Sequence, residues 1–476
     1  MARIFYSLLL YLLVPVVLVR LGLRGLRNPD YWRRWPERFG FIARLPQAGA
    51  IWLHAVSVGE TRAAVPLVHA LMQRYPQRPI LITTMTPTGS AQVRALFGDQ
   101  VAHCYVPYDL PLAVRRFLER GRPSLAIIME TELWPNLFYH CRARAIPLLV
   151  ANVRMSEKSM GRYLKFAALT RATLQQVNMF AVQFETDALR LRRLGAAPER
   201  VRVTGSIKFD ISMPAQQAAQ ARALRSALGK DRPVWLAAST RDGEEETVLA
   251  VYRDLKIRFP SLLLVLVPRH PERFATVARL CRDAGFAIAL RSAQLHPPGE
   301  STDGRGRALS GTGADGTEVL TPGLPRQTQE QFSMRLPRMA EVLKTQEQFS
   351  VNPATDILVG DTMGELALFF GAADVAFVGG SLVPTGGHNI LEACAAGIPV
   401  VFGPHMFNFT EISHLTVERG AGRQVTDAVE LGVAVGAYLA DAPLRATAGA
   451  AGRRMIEENR GALAANLALI QTLLPQ

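Results

Sequence analysis

Residues 51–85 read IWLHAVSVGETRAAVPLVHALMQRYPQRPILITTM. Two β-rich runs, 51–58 and 80–85, are apolar almost throughout, and Arg62–Arg74 leaves room for one helix between them. Strands of that composition are typical of a parallel sheet whose two faces are both covered by helices. The stretch therefore predicts a β-α-β unit.

The same alternation continues along the chain and restarts once. Further apolar runs lie at 101–108, 125–130, 147–153, 179–184 and 201–206, with a helix predicted over Pro111–Arg120. After residues 208–210, a second set lies at 234–239, 262–268, 286–290, 356–361, 375–380 and 399–403. We therefore predict two doubly wound, Rossmann-like α/β domains, 26–210 and 211–476, joined by a hinge near 206–215. Ligands of such sheets bind beyond the carboxyl ends of the strands, so the active site is expected in a cleft that the two domains face.

The composition is that of a globular protein with a basic surface. The chain has 476 residues, of which 49% are hydrophobic and 20% charged, and its formal net charge is +14. This charge suits nucleic acid, anionic lipid or phosphorylated substrates and does not choose among them. The four cysteines have no metal-ligand spacing, so we expect buried, reduced thiols and no structural zinc: Cys104, Cys141, Cys281 and Cys394.

The first 25 residues predict a membrane anchor. Ile4 to Val19 contains no charged residue, and continuing the helix to Leu23 gives it a length of ~30 Å, the thickness of the hydrocarbon core. The following segment is rich in arginine, which places it and the later domains on the cytoplasmic side and attracts anionic lipid. A helix that lies in one leaflet is one alternative, which Pro15 supports, and the core helix of a soluble domain is another.

Residues 292–352 interrupt the alternation of strands and helices. They are rich in Gly, Ser, Thr, Gln and Pro, and they contain TQEQFS twice, at 328–333 and 345–350. This composition predicts a flexible surface insertion with a local duplication.

The loop after the first predicted strand carries Ser57, Gly59 and Glu60. A glutamate in a first helical turn complements the helix dipole, which is a sufficient structural explanation. A general base at the mouth of the cleft explains it equally well.

Two neighbouring predicted strands are followed by a second polar group. Glu130 and Glu132 follow one strand, and Asn152, Arg154 and Ser156 follow the next. Their side chains could converge on one polar substrate, while loop polarity and helix capping are the alternative.

In the second domain, two loops contain candidate anion-binding residues. Pro268 and Arg269 end a buried strand, where the guanidinium could bind a phosphate bidentately. Met363, Gly364 and Glu365 begin a predicted helix.

Residues 379–393, GGSLVPTGGHNILEA, place two glycine pairs before a helix that we expect to open at Asn389 and Glu392. Such glycines either make a tight turn or turn bare N–H groups and a helix N-terminus toward an anion. With the arginine at 269, these helix starts favour an anion site. The chain lacks G-x-x-x-x-G-K-[ST], a G-x-G-x-x-G after the first strand, and Asp-x-Asp, which argues against ATPase, nicotinamide and metal-diphosphate sites.

Eight motifs, in order along residues 1–420, resemble those of the 3-deoxy-D-manno-octulosonic acid (Kdo) transferases of lipopolysaccharide assembly. They are WLHAVSVGE, TTMTPTGS, METELWPN, ANVRMSEKS, TGSIKFD, VPRHPERF, GDTMGEL and FVGGSLVPTGGHNILEA. The resemblance implies a GT-B glycosyltransferase, anchored to the cytoplasmic face of the inner membrane. It would transfer Kdo from CMP-Kdo to the lipid A precursor lipid IVA. From the residues we expect no metal, no cofactor and no nucleic-acid partner.

The resemblance also implies roles for individual residues. The glutamate of the S-V-G-E stretch is the catalytic base in the family, and it corresponds to Glu60. Candidate contacts to the acceptor or to Kdo are Ser57, Gly59, Glu130, Glu132 and Arg154. The family's CMP contacts correspond to Pro268, Arg269, Met363, Gly364, Glu365, Asn389, Ile390, Leu391 and Glu392. Ile390 departs from the family pattern, in which proline is common at that position.

Two other functions compete with this one. A UDP-sugar transferase or epimerase would have the same two-domain architecture, and products formed from CMP- and UDP-sugars would separate them. A non-catalytic, membrane-bound anion- or nucleic-acid-binding protein would need basic stripes with interleaved aromatic residues, and the basic residues here are dispersed.

Overall fold

The computed structural model describes residues 1–211, 213–295 and 351–474, which form two compact units. Unit 1 comprises Met1–Asp210 and Asn459–Gln476, and unit 2 comprises Ile211–Glu458. The TQEQFS repeats lie outside the described residues, as does most of the predicted insertion.

Unit 1 is built on a seven-stranded parallel sheet. Its strands are β1 (Ala50–His54), β2 (Ile80–Thr84), β3 (Ala102–Tyr105), β4 (Pro123–Met129), β5 (Leu148–Val153), β6 (Met179–Val182) and β7 (Val201–Val203). The spatial order is β3-β2-β1-β4-β5-β6-β7, so the winding reverses between β1 and β4. Ligands of doubly wound folds bind at such a reversal.

The helices of unit 1 cover both faces of this sheet. They are α1 (Ala2–Arg27), α2 (Val58–Arg74), α3 (Pro87–Phe97), α4 (Pro111–Gly121), α5 (Pro135–Ala143), α6 (Glu157–Leu164), α7 (Ala167–Leu174) and α8 (Glu185–Arg193). On β1, Trp52 packs into one buried cluster, while Ile51 and Leu53 pack into another on the opposite face. Burial on both faces explains why the strand is a continuous apolar run.

Unit 2 repeats the architecture. Its strands are β8 (Val234–Thr240), β9 (Leu263–Pro268), β10 (Ile288–Leu290), β11 (Ile357–Val359), β12 (Val375–Val378), β13 (Val400–Phe402) and β14 (Gly422–Gln424). They are parallel in the order β10-β11-β9-β8-β12-β13-β14, so the winding reverses between β8 and β12. The last strand, β14, is absent from the sequence prediction because it has no apolar run: two of its three residues are the exposed, polar Arg423 and Gln424.

The helices of unit 2 follow its strands. They are α9 (Ala215–Leu228), α10 (Glu244–Arg258), α11 (Phe274–Asp283), α12 (Arg291–Leu295), α13 (Leu366–Ala372), α14 (Leu391–Ala396), α15 (Thr410–Glu418), α16 (Ala428–Ala440) and α17 (Ala442–Glu458). Helix α12 includes residues 292–295. The sequence had assigned these residues to an insertion without regular structure, so the predicted start of that insertion was wrong.

The final helix, α18 (Ala462–Leu473), corrects the predicted extent of the second domain. The sequence assigned 211–476 to that domain, but Asn459–Gln476 belongs to unit 1. Ala462 and Ile470 are fully buried in a core cluster of unit 1. The carboxylate of Asp210 also accepts a 2.7 Å hydrogen bond from Gly461 N and bonds Leu463 N. Such long-range contacts leave no periodic signal in the sequence.

Several predicted boundaries also need correction. The first strand, predicted over 51–58, ends at His54, and α2 begins at Val58 instead of Arg62. The strand predicted over 356–361 comprises only Ile357–Val359. In each case, the small and polar residues beyond the strand form the loops that carry the candidate site.

The predicted state of the cysteines is confirmed. All four cysteines are buried and free. Among the described residues, α1 is the one helix that is long and apolar enough to cross a membrane.

Candidate active site

Glu60 lies at the carboxyl end of β1, beside the reversal point of the unit 1 sheet. Ser57 caps α2, and its hydroxyl accepts a 3.3 Å hydrogen bond from Glu60 N. The Glu60 carboxylate turns back toward the strand and accepts a 2.7 Å hydrogen bond from Val56 N and a 2.9 Å hydrogen bond from the Ser57 hydroxyl. This is a variant of the capping box, in which the glutamate accepts from the N–H of the residue before the cap instead of from the cap residue itself. Helix capping therefore explains part of the geometry at Glu60.

The same capping arrangement occurs at Glu430 in unit 2, which allows a direct comparison. Asp427 accepts from Glu430 N at 2.9 Å, and Glu430 accepts from Thr426 N at 2.7 Å. Glu430 is exposed, whereas Glu60 is only 9% exposed. Capping does not require burial, so the burial of Glu60 needs another explanation.

Burial and neighbouring acids change the acidity of Glu60. Burial raises its pKa to about 7, and the charge of Glu130 adds to this, while the hydrogen bonds from Val56 and Ser57 oppose it. Burial also raises the pKa of Glu132. A general base is most effective when its pKa lies near the working pH. The electrostatics of Glu60 thus fit a base better than a simple cap.

Lys208 belongs to the same group, although no pattern in the sequence had indicated a role for it. Burial lowers its pKa, Glu130 and Glu60 oppose that shift, and Arg154 adds to it. The structure therefore brings Glu130, Glu132 and Arg154, three of the residues predicted to converge, close to Glu60, and it adds a lysine. The only signal for Lys208 in the sequence was its place in the TGSIKFD motif.

Asn152 and Ser156 do not join this group as substrate-binding candidates. Asn152 is fully buried, and its Oδ1 accepts from Ile207 N at 3.2 Å. It thereby positions the turn that carries Lys208. Ser156 caps α6 and accepts from Ser159 N at 3.2 Å. Both residues therefore have structural roles. This agrees with the alternative stated for them from the sequence, in which their polarity serves the loops and helix caps.

Two of these residues have strained backbones. Glu130 has φ 58° and Asn152 has φ 56°, in the left-handed region that residues other than glycine rarely adopt. Both lie at the carboxyl ends of neighbouring strands. Strain of this kind costs about 1–3 kcal/mol and clusters at functional sites.

In unit 2, the first glycine pair of the 379–393 loop does not present bare N–H groups. The buried carboxylate of Glu244 accepts from Gly380 N at 2.6 Å, Ser381 N at 3.0 Å and Leu382 N at 2.9 Å. Gly379 must be glycine, because an added Cβ would lie 2.7 Å from Glu244 Oε2. The expected anion cradle at this pair is therefore wrong: the anion that its backbone binds is a side chain of the same unit.

The second glycine pair also makes a turn. Gly386 and Gly387 have φ 97° and 73°, and Gly387 N donates to Gly380 O at 2.7 Å. The helix that follows begins at Leu391 and not at Asn389. It is only six residues long, so its dipole gives little support to an anion site at its start.

The residues between this turn and α14 divide into two groups. Ile390 and Leu391 are fully buried, so only their backbone could contact a ligand. Asn389 and Glu392 are half-buried, and Asn389 Nδ2 donates to Glu392 Oε1 at 3.2 Å. Their polar side chains are the parts of the N-x-L-E stretch able to bind a ligand.

Glu365 is bound by a buried arginine that the sequence did not reveal. Arg291, 2% exposed, donates to Glu365 from Nε at 3.1 Å and from Nη2 at 2.8 Å. The neighbouring Gly364 has φ 88°, and Met363 is 60% exposed. The M-G-E triplet is thus held in place through its glutamate, while its methionine is open to solvent.

A cationic cluster lies at the carboxyl ends of β8 and β9. Arg241 Nη1 donates to His270 Nε2 at 2.7 Å, and Arg241 Nε to His388 Nε2 at 3.4 Å. Burial lowers the pKa of His388 to about 3, and the charges of Arg269, Arg241 and His270 add to the shift. Arg269 N is held by Thr240 O at 3.0 Å. The sequence had indicated Arg269 alone.

Comparison with known proteins identifies the family. A family model described as 3-deoxy-D-manno-octulosonic-acid transferase (kdotransferase) matches residues 33–211. A 3-deoxy-D-manno-octulosonic acid transferase of Haemophilus influenzae is 39% identical over 100% of this chain and 99% of its own length. The chain belongs to the Kdo transferase family. A Kdo transferase of Bordetella pertussis is 36% identical over 90% of this chain and 89% of its own length. The protein is therefore a glycosyltransferase, as the motifs predicted.

Solved structures support the fold of this Kdo transferase family member. A glycosyltransferase from Rickettsia africae has a TM-score of 0.50, with 12% sequence identity over 90% of this chain and 100% of that one. Together with the two parallel-sheet units, this likeness confirms the predicted GT-B fold class.

Proposed function

We propose that this Kdo transferase moves Kdo from CMP-Kdo to the lipid A precursor lipid IVA, with inversion at the anomeric carbon. The observation that carries the proposal is Glu60, a buried carboxylate with a raised pKa at the reversal point of the unit 1 sheet. Membership of the family identifies Kdo as the sugar that is transferred. The resemblance of the motifs indicates CMP-Kdo as the donor and lipid IVA as the acceptor.

Unit 2 binds the donor in this proposal. Arg269 and Arg241 offset the charge of the CMP phosphate, and Asn389 and Glu392 bind polar groups of the nucleotide. Pro268, Met363, Gly364, Glu365, Ile390 and Leu391 complete the CMP contacts, the buried pair Ile390 and Leu391 through their backbone. The cluster supports this role because four cationic or imidazole groups converge there, those of Arg241, Arg269, His270 and His388.

Unit 1 binds the acceptor and supplies the base. Glu60 takes the proton of a sugar hydroxyl of lipid IVA while that oxygen attacks the anomeric carbon of Kdo. The bond from that carbon to the phosphate oxygen breaks, and CMP departs with the electron pair. Attack opposite the leaving group inverts the configuration. Glu130, Glu132, Arg154, Ser57 and Gly59 remain the candidate contacts to Kdo or to the acceptor.

We further propose that α1 anchors the protein to the inner membrane, with both units on the cytoplasmic side. The length and apolar character of α1 support attachment. The arginines that follow it support this orientation and a contact with anionic lipid.

The pH dependence of catalysis tests the state of Glu60. Since only the deprotonated carboxylate accepts a proton, kcat/KM should rise up to a pH of about 7 and then level off. A glutamate with its ordinary pKa of 4.5 would give a flat profile over this range. Initial rates between about pH 5.5 and 8.5 measure the profile, and a flat one contradicts the assignment.

Arg241→Gln should weaken donor binding. Removing a charge-assisted contact costs about 1.5–3 kcal/mol, so KM for CMP-Kdo should rise roughly 10- to 100-fold. Arg253→Gln removes an exposed arginine of the same unit, on α10, and should leave KM unchanged. Equal KM values for both variants would exclude Arg241 from the donor site.

One incubation tests the reaction itself. Purified protein is mixed with lipid IVA and either CMP-Kdo or a UDP-sugar. The mass of the product lipid is then measured by mass spectrometry. We expect a mass gain of one or more Kdo residues with CMP-Kdo only, and NMR of the product should show inverted anomeric configuration. A product from the UDP-sugar alone would overturn the proposal.

A further inference from the structure

Helix α1 has two faces of different character along its whole length. Side chains spaced three or four residues apart are turned toward unit 1: Arg3, Ser7, Leu10, Val14, Val17 and Leu21. The other face exposes large apolar side chains: Ile4, Phe5, Leu8, Leu9, Leu12, Val16, Val19, Leu23 and Leu26. The helix therefore has one face packed on unit 1 and one exposed face, although it is apolar in composition on both.

The docked face is fixed by polar contacts near the N-terminus of the helix. Arg3 Nη1 donates to Asn136 Oδ1 at 3.0 Å, and the buried Ser7 hydroxyl donates to the same oxygen at 3.0 Å. The Arg3 guanidinium also stacks 3.6 Å from the centre of the Tyr139 ring. Asn136 is itself fully buried and donates from Nδ2 to Asp109 O at 2.7 Å. These contacts attach the first two turns of α1 to the start of α5.

The contacts continue along the middle of the helix. Leu10, Val14 and Val17 line a cavity of about 140 Å³ with Phe39 and Tyr108 of unit 1. Contact between α1 and the rest of unit 1 thus extends at least from Arg3 to Val17, ~21 Å along the axis.

This docking is incompatible with a helix that crosses the bilayer. In a spanning helix with unit 1 on the side of Leu23, Arg3 would lie at the opposite surface, ~30 Å away. Arg3 instead contacts Asn136 directly. We propose that α1 lies in the plane of one leaflet, with its docked face on unit 1 and its exposed apolar face in the acyl chains.

A lipid leaflet is the partner that this surface fits. The exposed face is continuous and apolar, so acyl chains can cover it, and the exposed Arg20 and Arg24 at its border can reach anionic headgroups. Next to α1, the helix α7 is preceded by Phe166, which is 69% exposed, and by the exposed Lys165. Apolar and basic side chains therefore continue the same surface beyond α1.

The proposal rests on the proposed membrane attachment, and a labelling experiment separates the two. The full chain carries either a short hydrophilic N-terminal extension with one cysteine, or Ala48→Cys, an exposed position of unit 1. The four native cysteines are buried, so they give little background. Sealed membrane vesicles of each orientation are treated with a membrane-impermeant maleimide.

We expect both reporters to react from the same side of the membrane. Labelling of the N-terminal cysteine from any other side, or only after detergent, overturns the in-plane helix. If the wild-type chain is not recovered with membranes at all, the attachment itself fails, which is a distinct result.

A disulfide trap tests the docked face in the membrane. Ser7→Cys combined with Asn136→Cys should cross-link on mild oxidation and change the electrophoretic mobility of the chain. The matched pair Leu8→Cys and Asn136→Cys places the first cysteine on the exposed face and should not cross-link. Absence of the first cross-link in membranes, or equal cross-linking of both pairs, would show that α1 leaves unit 1.

Discussion

Replacing Glu60 with glutamine should lower turnover at least ~100-fold while CMP-Kdo binding is retained, because the amide cannot accept the acceptor's proton. The amide oxygen can still accept the hydrogen bond from Val56 N, so the capping box is largely kept. The free energy of unfolding should therefore change by about 1 kcal/mol or less. Single-turnover rates measure the chemistry, and calorimetric titration with CMP measures donor-side binding.

Glu430→Gln is the matched control for this experiment. Glu430 has the same capping geometry, reaching back to Thr426 N at 2.7 Å, but it is exposed in unit 2. Both variants should show similarly small changes in stability, and only Glu60→Gln should lose turnover. Near-normal turnover of Glu60→Gln would remove the residue from the base role and leave it as a helix cap.

The sheet cores were predictable because their signal is local. A run such as LLLVLVP at 262–268 is apolar on both faces of β9, and that pattern needs no knowledge of distant residues. The predicted ends of strands were less accurate, as β1 shows. Ala55, Val56 and Ser57 continue an apolar or small pattern after His54, but they form the loop that turns Glu60 back toward the strand.

The donor-side site was predictable in outline but not in its internal contacts. The sequence indicated Arg269 and the glycine loop, because arginine and glycine have well-known roles at anion sites. It did not reveal that Glu244 binds the loop's N–H groups or that Arg291 binds Glu365. Both partners are distant in sequence, 136 and 74 residues away, so no local pattern reports them.

The role of the glycine loop is tested by Glu244→Ala, for which we expect the largest loss of stability. The fully buried carboxylate accepts from four backbone N–H groups, those of Arg241, Gly380, Ser381 and Leu382. Each buried donor left unsatisfied costs about 1–3 kcal/mol. Even if water satisfies some of them, unit 2 should lose at least ~3 kcal/mol of local stability.

Hydrogen exchange measures this effect where it occurs. Amides of residues 380–382 should exchange about 100-fold faster in Glu244→Ala, since 1.4 kcal/mol corresponds to a factor of ten. Glu244→Ala should also bind CMP more weakly, because the loop leads directly to Asn389 and Glu392. Peptides from β1 in unit 1 provide the internal reference.

Glu246→Ala is the matched control for Glu244, since it removes a carboxylate from the same first turn of α10 but from an exposed side chain. It should cost only the helix-dipole contribution, about 0.3–1 kcal/mol, and leave CMP binding unchanged. If the amides of residues 380–382 exchanged as slowly in Glu244→Ala as in Glu246→Ala, the Glu244 carboxylate would not hold the loop. The backbone N–H groups would then be available for the CMP phosphate, as the glycines alone had suggested.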